Sequence, residues 1–115
     1  MNSWRLIKPK EKKEAITFSR VERGDGRIYF SKRLREMLYL KGNEYCYVYE
    51  KNGKLLFTFT DKPLFEGYRK MRKNHIKVAG EEFLGRFLEK GEKITIIPRI
   101  EDGNIFVDMK WLKNK

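Results

Sequence analysis

Arg20, Arg23, Arg27, Lys32, Arg33 and Arg35 crowd into one short stretch around Gly24-Asp25-Gly26. A guanidinium can fork onto a phosphate, or onto the O6 and N7 of guanine in a major groove. Gly24 and Gly26 would let the chain come close to a duplex, because neither carries a Cβ. These six cations are therefore the candidate DNA-binding residues. In the competing reading, Arg33 and Arg35 are an exposed helix face pairing with Glu36 and Glu22, which accounts for only part of the charge.

The whole chain supports the same chemistry. Its 115 residues carry a formal net charge of +11, with a pI near 9.8. The excess is greater in the first half, and such a surface attracts polyanions, of which nucleic acid is the commonest in cytosol. Other chemistries find little material. Cys46 is the only cysteine and His75 the only histidine, so an internal disulfide is excluded and a Cys–His catalytic pair or metal centre is not expected. "GDG" is neither a P-loop nor a dinucleotide fingerprint, and no Ser/His/Asp set is visible. The expectation is a protein that is not an enzyme, with no catalytic residues, cofactor or metal.

A second functional reading rests on Tyr45, Tyr47, Tyr49, Phe57 and Phe59. Alternation puts the three tyrosines on one face, where they could stack bases of RNA or single-stranded DNA, or form core or dimer interface. A third class is an antitoxin-like protein-interaction module, with Glu81 and Glu82 as an acidic patch. No run approaches the roughly 18 apolar residues of a membrane-spanning helix, and the N-terminus lacks a signal-peptide core. A cytoplasmic protein with no membrane partner is expected, and a homodimer stays open. The absence of Gln and the 37% charged residues lean towards a hyperthermophile.

The elements that must position these groups repeat. Ile28 aligns with Ile76 and Phe30 with Val78. Leu34, Leu38 and Gly42 align with Phe83, Phe87 and Gly91. Tyr45, Tyr47 and Val48 fall on Ile94, Ile96 and Ile97, and Gly53 falls on Gly103 with Leu55, Phe57 and Phe59 on Ile105, Val107 and Met109. Insertions fall at turns, where they are tolerated. Each unit reads as a first strand (Ala15–Val21, or Phe65–Met71), a short strand, a helix (Lys32–Leu38, or Glu81–Leu88) and a hairpin. Ser31 is placed to cap the first helix. Asn52-Gly53 and Asp102-Gly103 mark the hairpin turns. Pro98 places its strand at an edge or a bulge. One unit cannot bury its apolar faces alone, whereas two can close a small barrel. The expected fold is mostly β with short helices: a basic N-terminal arm (1–14), then one barrel domain (15–115) made of repeat 1 (15–60) and repeat 2 (65–110).

"GRIYFSKRLREML", followed by a Gly turn and an aliphatic hairpin, resembles the AbrB/SpoVT transition-state regulators, which share a swapped-hairpin barrel with the MazE antitoxins. The tandem arrangement resembles that of MraZ, in an archaeal or archaeal-virus type of sequence. Arg20 stands at the family's strand arginine, Gly26-Arg27 at its "GR" and Leu34-Arg35 at its "LR", positions with which the family approaches DNA. Leu88-Glu89-Lys90-Gly91-Glu92 matches the family's Gly turn. Ser31 replaces the usual proline, Tyr39 the glycine of "LGI", and Asn74-His75 the second "GR". The resemblance implies a DNA-binding transcription regulator that contacts duplex DNA through its basic first repeat.

Overall fold

The computed structural model describes residues 3–7, 13–23, 25–80 and 83–113. The described residues are mostly β: nine strands in two antiparallel sheets, with two short helices. The first sheet contains β1 (Ile16–Arg20), β2 (Gly26–Phe30), β6 (His75–Val78) and β7 (Lys93–Ile96), in the order β6-β2-β1-β7. The second contains β3 (Tyr45–Lys51), β4 (Lys54–Thr60), β5 (Arg69–Lys70), β8 (Arg99–Glu101) and β9 (Asn104–Asp108), in the order β5-β3-β4-β9-β8.

Period-two alternation sends one side of each sheet into a shared core. Ile16, Phe18, Ile28, Phe30 and Ile76 from the first sheet meet Cys46, Leu55, Phe57, Ile105 and Val107 from the second. Edge-to-face contacts of Phe18 and Phe30 with Phe57, at 6.4 and 5.9 Å between centroids, lock the two layers together. Cys46 is a buried hydrophobe there, and burial pushes its thiol up to about 12.

Local signals decide the turns. The Ser31 hydroxyl accepts from Leu34 N at 3.2 Å, capping α1 (Lys32–Met37), and also receives Ala15 N while donating to Lys13 O. Asn52 and Asp102 both hold φ 51°, followed by glycines at 74° and 77°, as two-residue hairpins require. Ile97 and Pro98 interrupt what would be one strand, leaving β7 at the edge of one sheet and β8 at the edge of the other.

Two expected elements are smaller than the sequence indicates. The strand expected over Phe65–Met71 is only Arg69–Lys70, because Leu64 and Phe65 backbone groups hydrogen-bond the Tyr47 hydroxyl instead of a neighbouring strand. The helix expected over Glu81–Leu88 is a 3-10 turn at Leu84–Arg86, with Leu84 N and Gly85 N satisfied by Ala79 and Gly80 carbonyls. Glu81 and Glu82, the expected acidic patch, lie outside the described residues, as do parts of the N-terminal arm. Trp4 and Leu6 of that arm are exposed.

The pairing register has a simple internal relation. β2 and β6 pair with Ile28 opposite Ile76, and β4 and β9 pair with Leu56 opposite Phe106. Among the described residues no ladder joins one sheet to the other. The chain itself crosses at both edges, from β7 to β8 through Ile97-Pro98 and from β5 to β6 through the 71–74 turn. Among the described residues no helix is long and apolar enough to cross a membrane.

Candidate nucleic-acid interface

The residues that alternate with the core positions form the outer face of the four-stranded sheet. Strand register aligns them in two rows. Lys77, Arg27, Ser19 and Lys93 run across β6, β2, β1 and β7, and His75, Tyr29, Thr17 and Thr95 run beside them. None of the eight is Asp or Glu. Three interstrand steps of about 4.8 Å make each row roughly 14 Å wide. The face thus offers three cations, three hydroxyl side chains and a pair of rings, with no carboxylate among them to neutralise the charge.

Its groups are held in place. Tyr29 and His75 rings lie 5.1 Å apart at 40°. Arg27 Nη1 donates to the Tyr29 hydroxyl at 3.3 Å, while its buried Nε has no hydrogen-bond partner. The Thr17 and Thr95 hydroxyls share a hydrogen bond of 2.8 Å. Burial holds the His75 imidazolium below its ordinary range, and the cations of Arg27, Arg72 and Lys77 add to the effect. The face repels a further positive charge and is correspondingly receptive to a negative one.

Of the six cations singled out in the sequence, Arg27 lies on this face. Although close in the chain, the six are divided into two groups by the five-residue strand β2. Arg20 and Arg23 flank the turn at its Gly26 end; Lys32, Arg33 and Arg35 follow its Phe30 end, which lies roughly 13 Å away at about 3.3 Å per step. Arg23 is exposed in the turn, 3.9 Å from Asp25. Lys32 is exposed, and Arg33 approaches Glu14 at 3.4 Å. Neither Glu22 nor Glu36 supplies the expected ion pairs. Arg35 Nε donates instead to the Phe30 carbonyl at 3.1 Å, and Arg20 Nη1 to the Leu88 carbonyl at 2.8 Å.

Tyr29, His75, Lys77 and Lys93, which share this face with Arg27, were not singled out from the sequence as candidate site residues. The alternation in "RIYF" and "HIKV" carries part of the signal, since both segments put apolar side chains at every second position. What was missing is which strands lie side by side.

The aromatic strand β3 sits elsewhere, on the outer face of the five-stranded sheet. Tyr47 is buried under the 61–68 loop: its hydroxyl donates to Phe65 O at 2.7 Å and accepts from Leu64 N and Phe65 N. Tyr45 packs edge-on against Tyr68, and Tyr49 is 42% exposed. Tyr47 is thereby withdrawn from any stacking surface that β3 could offer. Among the described residues no group of three metal-binding side chains occurs.

No family model matches this chain, and searches of curated proteins and of solved structures find no match either.

Proposed function

We propose that this protein binds duplex DNA through the outer face of its four-stranded sheet and acts as a transcription regulator. The observation that carries the proposal is the two-row face itself, where Arg27, Lys77 and Lys93 stand among hydroxyls with no carboxylate in either row. Lys and Arg bind phosphates and release counterions, and Ser and Thr hydroxyls add hydrogen bonds to phosphate oxygens. The exposed Arg23, Lys32 and Arg33 extend the positive field beyond either end of β2.

The fold reading accompanies it. We take the two sheets as the walls of one swapped-hairpin barrel built from two repeats. Three features support this: the chain crossings at both sheet edges, the opposition of Ile28 to Ile76, and that of Leu56 to Phe106. Residues matched by the internal repeat face one another in both cases, as an antiparallel pairing about a twofold axis requires.

The Tyr29–His75 ring pair favours a second reading, single-stranded DNA or RNA with a base stacked on the face. Fluorescence anisotropy with duplex DNA, single-stranded DNA and RNA at two salt concentrations separates them. About six phosphate contacts give a log–log salt slope near −5. Arg27→Ala with Lys77→Ala is expected to weaken duplex binding at least tenfold and to reduce that slope by about 2. Wild-type preference for single strands, or an unchanged affinity in the double variant, would reject the duplex reading of this face.

A further inference from the structure

On the opposite side of the molecule, the outer face of the five-stranded sheet carries a second cross-strand row: Tyr49, Leu56, Phe106 and Arg99, on β3, β4, β9 and β8. Beside it, Lys54 on β4 lies opposite Asp108 on β9. A groove of about 550 Å³ runs along the first row. Tyr49, Leu56 and Phe106 give it an apolar middle, with Glu50, Lys54 and Arg99 among the residues around them; Tyr49 is 42% exposed, and the Arg99 guanidinium lies 5.1 Å from the Phe106 ring centre. Leu56 and Phe106 are half-buried, so the strip is mixed, apolar in the middle and charged at its margins, and a partner face of the same mixed character fits it.

The row is complementary to itself. The two inner members are Leu56 and Phe106, and the outer members are an aromatic ring at one end and a guanidinium at the other. Rotation by half a turn about an axis along the strands, midway between β4 and β9, sets a second copy face to face. Leu56 then meets the Phe106 of the other copy, Tyr49 meets its Arg99, and Lys54 meets its Asp108. Each contact occurs twice, as an isologous interface demands. Apolar contact, a cation on an aromatic face and two opposite-charge pairs are all favourable there. The 61–68 loop fits the same operation. It rises over the Tyr47 side of the sheet, with Leu64 67% and Phe65 53% exposed, and the rotation carries it over the β9–β8 side of the other copy.

We propose that two copies of this chain pair through these outer faces of the five-stranded sheet, and that the pair bridges two DNA duplexes. The second clause rests on the function proposed above. It follows from the layering: the four-stranded sheets are the far sides of such a pair, so their cationic faces point in opposite directions.

Sedimentation equilibrium without nucleic acid tests the pairing. The expected result is a species of twice the 13.9 kDa chain mass at tens of micromolar. It should weaken but persist as salt rises from about 0.1 M to about 1 M, because the Lys54–Asp108 pairs are screened while the Leu56–Phe106 contacts are not. Leu56→Glu, at a half-buried outward position, is expected to weaken association at least tenfold with an unchanged circular dichroism spectrum. Tyr49→Arg places two guanidinium groups together and is expected to give monomers, whereas Tyr49→Arg with Arg99→Glu restores the pair. A monomeric wild type, a Leu56→Glu protein that still dimerises, or a charge-swapped variant no better than Tyr49→Arg would overturn the interface. For bridging, bead-tethered duplex plus protein should capture a second, labelled duplex, and Leu56→Glu should abolish capture while keeping single-duplex affinity. Dimers that bind duplex without capturing a second one overturn bridging alone. Dimers that bind no nucleic acid overturn the function proposed for the other face, and bridging with it, and leave the interface standing.

Discussion

Arg20 Nη1 donates to the Leu88 carbonyl oxygen at 2.8 Å, tying the end of β1 to the turn that follows Leu84–Arg86. The backbone of the same residue bonds twice to the neighbouring Gly turn, through Glu92 O at 2.9 Å and Gly91 N at 2.7 Å. Three hydrogen bonds thus converge on one residue and join segments some seventy positions apart in the chain. The arginine that sequence reasoning aims at DNA holds the two halves together.

Arg20→Ala removes the side-chain donor to the Leu88 carbonyl, and Leu88 is only 2% exposed. The expected cost is about 1–3 kcal/mol, read as a lower urea midpoint. The salt slope of DNA binding should not change, because no phosphate contact is lost. A slope reduced by about 1 would show instead that the guanidinium reaches a phosphate.

His75 links pH to stability and, on the proposed function, to binding. Burial and the nearby cations lower its pKa below 6.5 in the folded protein, so the unfolded chain takes up the proton first as pH falls. Its contribution to stability is full above pH 6.5 and is lost as pH falls from there towards the folded value. A bound polyanion offsets the repulsion from Arg27, Arg72 and Lys77 and raises the pKa again. Nucleic-acid affinity should therefore increase as pH falls below about 6.5. His75→Asn should flatten both profiles, measured by denaturation and by anisotropy across that range.

Gly26 is required by packing. A Cβ there would lie 2.6 Å from Leu84 Cδ1, 2.9 Å from Val78 Cγ2 and 3.0 Å from the Val78 carbonyl oxygen. Gly26→Ala should destabilise by about 1–3 kcal/mol through overpacking. Gly53→Ala is a useful contrast, since it has open space and a φ of 74°, so its cost comes from backbone strain alone. Chemical denaturation of both variants, with Leu84→Ala added to Gly26→Ala, tests this. If the clash is the cause, Leu84→Ala should cost less in the Gly26→Ala background than in wild type.

Tyr39 holds φ 57°, a left-handed conformation that favours glycine, and its side chain is 87% exposed. The residue gains little contact for that strain. Tyr39→Gly should raise stability by up to about 1 kcal/mol, the relief of a left-handed L-residue less the entropy cost of glycine. A lower melting temperature in this variant would show that the ring makes a stabilising contact.

Much of the architecture was legible because it is encoded locally. Ser31 caps its helix, Asn52-Gly53 and Asp102-Gly103 turn their hairpins, and alternation in "RIYF" and "EYCYVY" marks strands, since each effect acts within a few residues. Where a distant partner competes, local reading fails. Phe65–Met71 reads as a strand, yet the Tyr47 hydroxyl takes the backbone groups of Leu64 and Phe65.

The candidate site divides along the same line. By itself the sequence determined the charge of +11, the mostly-β character and the placement of Arg27 on a strand beside Gly26. Only tertiary structure decided that Lys77 stands beside Arg27 with Lys93 farther along the same row, that His75 meets Tyr29, and that Arg20 and Arg35 turn to backbone carbonyls. The reason is register: alternation gives each strand two faces, but which residues become neighbours depends on pairing between strands far apart in the chain.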